Sequence, residues 1–334
     1  MIISRTPFRV SLFGGGSDYP VWYRRHGGRV IGFAINKYCY ISVRRLPPFF
    51  EHKHRIVYSL IENVRELAEI RHPAVRHVLQ EMKVDCGLEI HHDGDLPARS
   101  GLGSSSSFTV GLLTALHALN GRMVGKEELA RQAIHIEQNV IREHVGSQDQ
   151  VWAAYGGINE IVFHQDDTFA VTPVIMTAER RARLVGSLML CFTGISRFAS
   201  EVAERKIANL PRRERDVAAM AAMTAEAAAI LADPLGDIED IGRLLHESWQ
   251  IKRQLADGVT SDTIDAIYDA ARDAGAQGGK LLGAGGGGFL LLFVEPERRA
   301  AVAERLNGLI HVGFDVEHIG SRVVVYEPNG LDQR

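Results

Sequence analysis

The sequence predicts an α+β protein built from two domains. The chain has 334 residues, and a domain holds roughly 150 residues on average, so two domains are expected. Strand patterns and helix patterns occur on both sides of a stretch around Gln165 to Ala182, where the sequence becomes polar and mixed. We therefore place a first domain at residues 1–175 and a second domain at residues 183–334.

Composition and charge are those of an ordinary soluble protein, with 46% hydrophobic and 24% charged residues. A net charge of −3 gives no general attraction to nucleic acids or anionic membranes, so neither is expected as a partner. No apolar run approaches the roughly 18 residues that span a bilayer, and the first residues lack a signal-peptide pattern. Cys39, Cys86 and Cys191 lie far apart among apolar residues, which indicates reduced thiols in a cytoplasmic protein.

In the first domain, alternating or apolar runs predict strands at 2–13, 32–43, 87–92 and 158–163. Apolar residues at helical spacing predict helices at 108–119 and 126–144. Two short helical patterns lie on either side of Pro73, and loops are expected at 44–56 and 145–150.

In the second domain, apolar runs predict strands at 184–193, 289–294 and 314–326. Strongly helical composition or spacing predicts helices at 199–232, 238–256, 261–274 and 297–308. The pattern therefore mixes both element types, as the fold class requires.

The stretch 96–107 is the clearest candidate for a binding loop. It contains Gly101 and Gly103, continues into four serines at 104–107, and opens into a predicted helix. Glycines let the backbone approach an anion, and the first helical N–H groups lack intrahelical partners. The hydroxyls add donors and could also ligate a cation such as Mg²⁺. The stretch predicts a phosphate site, although serine caps and an ordinary turn would give the same pattern.

Two further glycine clusters flank this loop along the chain. The first, at 14–16, follows a strand that carries Arg9 and leads into Asp18. The other, at 278–288, carries Lys280 near its beginning. Such clusters indicate close approach of the backbone to a ligand, or simply tight loops.

The three clusters, in this order, resemble the three motifs of the GHMP kinases, named for galactokinase, homoserine kinase, mevalonate kinase and phosphomevalonate kinase. The first motif of that family is matched by Pro7, Arg9, Gly14 and Asp18. The second is matched by Pro97, Gly101, Leu102, Gly103, Ser104 and Ser105. The third is matched by Lys280, Gly283, Ala284, Gly285, Gly287 and Gly288.

The resemblance implies a fold as well as a site. It implies a first domain like ribosomal protein S5 and a second domain like ferredoxin, with ATP and a small acceptor bound between them. It also implies that the second motif cradles the triphosphate. The residues expected to bind nucleotide are Gly101, Leu102, Gly103, Ser104, Ser105, Ser106, Lys280, Gly283, Gly285 and Gly286. Lys280 could instead face solvent.

Phosphoryl transfer also calls for Mg²⁺ and for a base. By family position, the Ser105 hydroxyl is the first choice as Mg²⁺ ligand, with Ser104 as the second choice, and Glu137 is the partner carboxylate. Glu137 could otherwise be a solvated helix charge. Asp149 lies in a Gly-x-x-Asp-Gln pattern that resembles the family's catalytic aspartate, with an Asx-turn as the alternative. Arg9 resembles the arginine near the transferring phosphoryl group, and its alternative is a surface charge.

The acceptor side departs from galactokinase. Asp18 resembles the aspartate that binds sugar hydroxyls, with Gly16 and Ser17 beside it, but the Glu-His pair of galactokinase is absent. This form, with a turn at 193–197, resembles the branch that phosphorylates heptose 7-phosphates at the anomeric hydroxyl. The cations considered for a 7-phosphate are Arg197 first and Lys37 second, then Arg24, Arg25 and Arg44.

The resemblance therefore implies an ATP- and Mg²⁺-dependent kinase whose partners are ATP and a sugar phosphate. A kinase for fucose, galactose or another sugar is the second reading, since a related branch carries fucose kinase domains. A non-catalytic sugar or nucleotide sensor on the same fold is the third. The sequence leaves open whether the chain forms a homodimer.

Overall fold

The computed structural model describes residues 1–195 and 199–328. Within these ranges the chain is of the α+β class, as the sequence predicts. None of the helices described there is long and apolar enough to cross a membrane.

Two β-sheets organise the described chain. The strands are β1 Ile2–Phe13, β2 Gly28–Arg45, β3 His54–Val57, β4 Ile61–Val64, β5 Leu88–Gly94, β6 Ile158–Phe163, β7 Phe169–Pro173, β8 Leu188–Phe192, β9 Gly278–Leu281, β10 Phe289–Phe293, β11 Ile310–Val312 and β12 Arg322–Tyr326. The helices are α1 Pro20–His26, α2 Pro73–Glu81, α3 Ser104–Leu119, α4 Lys126–His135, α5 Gln148–Tyr155, α6 Ala178–Ser187, α7 Ala199–Asn209, α8 Glu214–Ala232, α9 Asp240–Lys252, α10 Asp262–Asp273 and α11 Arg299–Arg305.

The first sheet is built around the long strand β2. Its order is β12-β1-β2-β5-β3-β4, and β6 pairs with the first half of β2 and with β7. Strand β2 pairs with β1 along most of its length, and Arg9 of β1 lies opposite Ala34. Helices α3 and α8 both contact β1 and β2. Strand β12 pairs only with residues 2–5 of β1, and the Arg9 N–H donates instead to the Leu102 carbonyl at 3.0 Å.

The second sheet has four antiparallel strands in the order β11-β8-β10-β9. In chain order its strands are separated by helices in the β-α-β-β-α-β manner of ferredoxin-like domains. Every residue of Phe289–Phe293 is buried, because helices cover one face of this strand and the rest of the molecule covers the other. The largest buried apolar cluster joins side chains of both sheets, among them Leu12, Leu102 and Phe289.

The chain returns to the first sheet at its last strand. Strand β12 pairs antiparallel with β1, and Ile2 lies opposite Tyr326. The sequence-based division assigned this strand to the second domain, whereas its hydrogen bonds join the first sheet. The division at residues 175 and 183 itself stays a prediction.

Local differences from the expected elements have physical causes. Helix α3 begins at Ser104, because Gly103 takes a left-handed N-cap conformation with φ +74°. The helix expected over 126–144 changes to a π-helical turn at Ile136–Ile141, which ends at Arg142 with φ +63°. The helical pattern expected from Asn63 to Pro73 is reduced to a 3-10 turn at Leu67–Glu69, because Asn63 and Val64 belong to β4, which pairs with β3.

Candidate active site

We call the glycine clusters at 14–16, 96–107 and 278–288 the first, second and third loops. The second and third loops contact each other through their backbones. A Cβ added at Gly101 would lie 2.6 Å from the Leu282 carbonyl oxygen, and one at Gly283 would lie 2.6 Å from the Gly101 Cα. Both glycines also have left-handed φ values, +85° and +69°. The backbone N–H of Phe289 donates to the Ser100 carbonyl at 3.1 Å. Side chains at these two positions would therefore force the loops apart.

Part of the third loop is committed to internal contacts. The backbone N–H of Gly286 donates to the Val259 carbonyl at 2.9 Å, and a Cβ at Gly285 would lie 2.7 Å from the Val259 Cα. Gly286 was expected to offer this N–H to a nucleotide. It instead fastens the loop to the segment that follows α9.

The first loop folds back onto β2. A Cβ at Gly14 would lie 2.0 Å from the Arg29 carbonyl oxygen. The Ser17 hydroxyl donates to the carbonyls of Gly14 and Arg29 and accepts from the Arg29 N–H at 3.0 Å. Ser17 is fully buried. The expected substrate contact from this hydroxyl is therefore corrected to a role in shaping the loop.

Arg9 and Asp149 form a bidentate ion pair between the loops. The Arg9 Nε donates to Asp149 Oδ1 at 2.8 Å and Nη2 donates to Oδ2 at 2.7 Å. The remaining Nη1 donates to the Gly101 carbonyl at 2.6 Å. Arg9 is 4% exposed, whereas the Asp149 side chain is 25% exposed. The arginine of this pair is therefore buried, whereas the carboxylate remains partly accessible to solvent.

Asp149 lies in the first turn of α5 rather than in the expected loop. Burial raises the pKa of its carboxyl, and the Asp18 carboxylate adds to this, while the Arg9 guanidinium opposes both. The dipole of α5 favours a negative charge at this end of the helix. A Cβ at Gly103 would lie 3.4 Å from Asp149 Oδ2, so the carboxylate lies directly beside the second loop.

Asp18 is held next to the loop that precedes Asp149. It is 2% exposed and accepts from the Gly16 N–H at 2.9 Å and from Gln148 Nε2 at 2.8 Å. A Cβ at Gly146 would lie 1.9 Å from Asp18 Oδ2. Two carboxylates from distant parts of the sequence therefore share one side of the site.

Glu137 lies in the π-helical turn and is 1% exposed. Its Oε2 accepts from the Ser106 hydroxyl at 2.8 Å and from the Gln150 amide. Its Oε1 is buried and has no hydrogen-bond partner among the described residues. Burial raises the pKa of Glu137 to about 7, despite hydrogen bonds that favour the carboxylate. The hydroxyl beside Glu137 is that of Ser106, whereas Ser105 is exposed.

The choice of serine stays a prediction, and the hydroxyl that contacts Glu137 in the structure is a different one, that of Ser106. The resemblance singled out Ser105 to share a cation with Glu137, with Ser104 next. The Ser104 hydroxyl accepts a hydrogen bond from the Arg99 N–H at 3.0 Å. A buried carboxylate oxygen without a partner, beside a hydroxyl, suits a hard cation that takes its other ligands from phosphates and water. The described part of the chain holds no cluster of three or more acidic, histidine or cysteine ligands.

Three buried lysines lie near these carboxylates. Lys280 Nζ donates to the Leu12 carbonyl at 2.7 Å, and Lys252 Nζ donates to the carbonyls of Leu281 and Gly283 at 2.6 and 2.7 Å. Burial lowers the pKa of Lys280 to about 7 and that of Lys252 well below its usual value. The solvent-facing alternative for Lys280 is wrong, because this side chain is only 3% exposed.

The third lysine is Lys206 of α7, which is also 3% exposed. Its Nζ lies 5.2 Å from the centre of the Tyr19 ring and 3.6 Å from the position of a Cβ added at Gly16. Burial lowers the pKa of Lys206, and the Asp18 carboxylate raises it. The sequence reasoning missed Lys206 and Lys252. The signal that could have found them is a lysine on the apolar face of a helix. Lys206 follows Val202 by four residues, and Lys252 ends the apolar face of α9.

The cations expected to hold a sugar phosphate have different positions where they are described, and Arg24 and Arg25 line a cavity beside the first loop. Arg197 lies outside the described residues. Lys37 is half-buried on β2, and within the described chain no hydrogen bond or ion pair links it to Arg9, Asp18 or Asp149. Arg24 pairs with Asp167 at 2.7 Å on the surface.

A cavity of about 480 Å³ adjoins the first loop. It is lined by Tyr19, Pro20, Val21, Arg24, Arg25, Gln138, Asn139, Glu143, His144, Val145 and Ile207. Tyr19 follows Asp18, and Ile207 follows Lys206. The cavity is thus lined by the residues that follow Asp18 and Lys206 in the sequence, whereas these two side chains do not line it.

Comparison with known families decides the assignment. The family model for the GHMP kinases N terminal domain matches residues 67–157, and that for the GHMP kinases C terminal domain matches residues 224–310. The two matches together cover just over half of the chain. The chain belongs to the GHMP kinases.

Individual relatives of this GHMP kinase include sugar kinases. It is 28% identical over 316 residues to the D-glycero-alpha-D-manno-heptose 7-phosphate kinase of Campylobacter jejuni, covering 92% of this chain and 93% of that protein. It is 26% identical over 340 residues to the galactokinase of Pyrococcus furiosus, covering 91% and 92%.

A solved structure shares the fold over nearly the whole length. The crystal structure of a D-glycero-D-manno-heptose 1-phosphate kinase from Bacteroides thetaiotaomicron matches with a TM-score of 0.80. The match covers 98% of this GHMP kinase and 100% of that chain, at 24% identity. At this identity the similarity establishes the fold of both domains.

The described arrangement has the parts that phosphoryl transfer needs. The open helix N-terminus after Gly103 can bind phosphate oxygens. Cationic side chains beside it can neutralise charge, and a carboxylate in the cleft can accept a proton from a hydroxyl.

Proposed function

We propose that this GHMP kinase transfers the γ-phosphoryl group of ATP to the anomeric hydroxyl of D-glycero-D-manno-heptose 7-phosphate, giving the 1,7-bisphosphate. The observation that carries the proposal is the bidentate pair of Arg9 and Asp149 beside the Gly101–Gly103 turn. The heptose 7-phosphate kinase of Campylobacter jejuni, similar over 92% of this chain, supports the choice of acceptor.

Asp149 is the base in this proposal. The acceptor oxygen forms a bond to the γ-phosphorus as the bond from phosphorus to the bridging oxygen of ADP breaks, and the hydroxyl proton passes to Asp149. Arg9 keeps Asp149 ionised and in a fixed orientation through its two hydrogen bonds. It also places positive charge near the transferring group.

The second loop binds the triphosphate. Its residues 101–106 include the free N–H groups at the start of α3, whose dipole favours phosphate at that end. Gly101 and Gly283 let the third loop close over it without side-chain interference. Lys280 and Lys252 lie behind this contact, where they donate to the carbonyls of Leu12 and Gly283. Burial lowers the pKa of both lysines, and phosphate oxygens bound nearby would favour their charged forms.

The residues around Glu137 fit Mg²⁺. The unpartnered Glu137 Oε1 and the adjacent Ser106 hydroxyl are oxygen donors of the kind this ion takes. When bound, the ion neutralises charge that develops on the phosphate oxygens. Glu137 must lose its proton to take part, and the hydrogen bonds from Ser106 and Gln150 favour that carboxylate.

Asp18 orients the acceptor. One of its oxygens accepts from the Gly16 N–H and the other from Gln148, and each oxygen keeps a lone pair for a sugar hydroxyl. Gln148 is adjacent to Asp149 in sequence, so a hydroxyl bound by Asp18 is brought toward the base.

We also propose a cytoplasmic location, where ATP and sugar phosphates are found.

The test is ADP release with MgATP across a panel of acceptors, comparing the wild type with Asp149→Asn. The panel holds heptose 7-phosphate, mannose, fucose, galactose and mannose 6-phosphate. Turnover of heptose 7-phosphate alone, lost in Asp149→Asn, is the expected result. Turnover of only an unphosphorylated sugar would keep the kinase and reject the acceptor. ATP binding without turnover on any acceptor would favour the non-catalytic sensor.

A further inference from the structure

Lys206 is a buried cation whose charge the protein does not satisfy. It is 3% exposed, and no hydrogen bond or ion pair to its Nζ exists within residues 1–195 and 202–328, whose side chains are described. Taking an ammonium group out of water without a partner is costly. Its nearest aromatic neighbour, Tyr19, offers only its ring face, at 5.2 Å. An anion that binds there would remove this cost.

The two neighbouring lysines differ from Lys206 in this respect. The Lys252 ammonium is held by two backbone carbonyls and the Lys280 ammonium by one. Both therefore have fixed positions in the protein. Lys206 alone of the three has its ammonium free for a ligand among the described residues.

The surroundings hold four basic groups, and burial lowers the pKa of the three lysines among them, so a bound anion would stabilise their charged forms. Four cations, Arg9, Lys206, Lys252 and Lys280, influence one another electrostatically, and the Asp18 carboxylate attracts all three lysines. Asp149 is already engaged with Arg9 on both of its oxygens. A group with two negative charges suits such a cluster better than a neutral hydroxyl.

The ammonium faces the first loop rather than the nucleotide loops. A Cβ at Gly16 would lie 3.6 Å from both Cε and Nζ of Lys206, so the glycine places no side chain between the first loop and the ammonium. Asp18, the residue proposed to orient the sugar, is two positions away. Tyr19 and Ile207, next to these groups, line the cavity of about 480 Å³. Lys206 therefore faces the first loop and Asp18, on the acceptor side of the site.

We propose that Lys206 binds a phosphate group and that this phosphate is the one the acceptor carries when it enters, not a phosphate of ATP. Lys206 is then a specificity-determining residue, which makes the enzyme select phosphorylated sugars. This inference rests on the proposed function in one respect, the use of a sugar phosphate as acceptor. It replaces Arg197 and Lys37 as the first candidates for that contact.

The test compares Lys206→Met with the wild type and with Lys126→Met, which removes the same charge from an exposed position on α4. For Lys206→Met, KM for heptose 7-phosphate is expected to rise about 10- to 100-fold, as for loss of a charge-assisted hydrogen bond. KM for ATP is expected to change less than about 3-fold, since the nucleotide contacts are kept. The kcat of the same variant at saturating heptose 7-phosphate should stay within about 3-fold of the wild-type value, because Lys206 does not touch the reacting groups.

The comparison of KM with kcat separates recognition of the phosphate from a structural effect on the site, which would lower kcat as well. A rise in KM for ATP without a rise for the heptose phosphate would assign Lys206 to the nucleotide and overturn the proposal. Unchanged constants for both substrates would also overturn it. The thermal midpoint of Lys206→Met should equal or exceed that of the wild type, because an unpaired buried charge is removed.

A binding measurement keeps the inference testable if the wild type does not turn over heptose 7-phosphate, an outcome that would reject the proposed function. The thermal midpoint is then measured with mannose 6-phosphate, inorganic phosphate and ATP, each added alone. A shift with the first two that is lost in Lys206→Met, with the ATP shift retained, supports the phosphate site. Equal shifts in both proteins, or none in the wild type with mannose 6-phosphate and phosphate, overturn it.

Discussion

Arg9 holds Asp149 through two parallel hydrogen bonds, of 2.8 and 2.7 Å, while its third nitrogen group fixes the carbonyl of Gly101. One buried side chain thus sets the position of the Asp149 carboxylate relative to the second glycine loop, which contains Gly101. The planar guanidinium is required for this geometry, because an ammonium group cannot donate two parallel bonds to one carboxylate.

Replacing Arg9 by lysine should therefore impair turnover while the positive charge is retained. We expect kcat to fall about 100-fold, comparable to the loss of one preorganised donor at a reacting group. Steady-state kinetics at saturating ATP and acceptor measure the effect, with circular dichroism as the control for folding. A variant with more than half of the wild-type kcat would show that the bidentate geometry is dispensable.

The serines of α3 provide a second prediction. Ser106→Ala removes the hydroxyl that donates to Glu137 at 2.8 Å, so the concentration of Mg²⁺ that gives half-maximal rate should rise about 10- to 100-fold, as when a metal ligand loses its supporting partner. Ser105→Ala is the matched variant and should raise it less than Ser106→Ala, since Ser105 is exposed. The opposite order would restore the sequence-based choice of Ser105.

The burial of Lys280 predicts a pH dependence of stability. Its pKa is lowered from 10.5 to about 7 in the folded protein, so the unfolded chain binds more protons between about pH 7 and pH 10.5. The free energy of unfolding should rise with pH in this window, by at most about 1.4 kcal/mol per pH unit from this group. Urea titrations at pH 7, 8 and 9 measure the slope.

Lys280→Met is the comparison for that slope. It lacks the titrating group, so its free energy of unfolding should rise less steeply with pH than that of the wild type. Lys252 contributes a slope of the same sign in both proteins, because burial lowers its pKa as well. Parallel curves for the wild type and Lys280→Met would mean that Lys280 stays charged when the protein folds.

The contact between the glycine loops predicts a stability cost for alanine. Gly283 has φ +69°, and a Cβ there would lie 2.6 Å from the Gly101 Cα. Gly283→Ala should lower the free energy of unfolding by at least about 1–2 kcal/mol from the left-handed backbone alone. It should also raise KM for ATP, because the third loop is pushed away from the second.

Gly308→Ala is the matched control, since a Cβ at Gly308 meets nothing within 4 Å. Its free energy of unfolding and KM for ATP should stay within error of the wild type. A Gly283→Ala protein that behaves like Gly308→Ala would show that the two loops are not pressed together in solution.

The loops and the central ion pair were accessible from the sequence because their signals are local. Glycines at fixed spacing, an arginine on the strand before the first loop and an aspartate after a helix can each be recognised within a few residues. The fold class followed from periodicity. The family resemblance added the order of the three loops and the partnership of Arg9 with Asp149.

The choice among four consecutive serines was not accessible in this way. It depends on where α3 begins, which the left-handed Gly103 decides, and on the phase of Glu137, which a π-helical turn shifts. Neither the start of a helix to within one residue nor a π-helical turn is given by apolar spacing. An error of one residue in either place assigns a different hydroxyl.

The lysines were missed for a different reason. Lys206 and Lys252 lie in helices of the second half of the chain, far from Asp18 in sequence. Only the tertiary fold brings them together, and a lysine on an apolar helix face more often reaches the surface along its alkyl stem. Buried lysines at helical spacing become informative once the partner helix and the loop that they face are known.

The return of β12 to the edge of β1 has a consequence for how the molecule forms and moves. Because β1 finds one of its two neighbours only when residues 322–326 have been synthesised, the first sheet stays incomplete during most of translation. The ferredoxin-like sheet is in topological terms an insertion, joined to the first sheet by chain segments at both of its ends. Separation of the two sheets would therefore strain two connections at once.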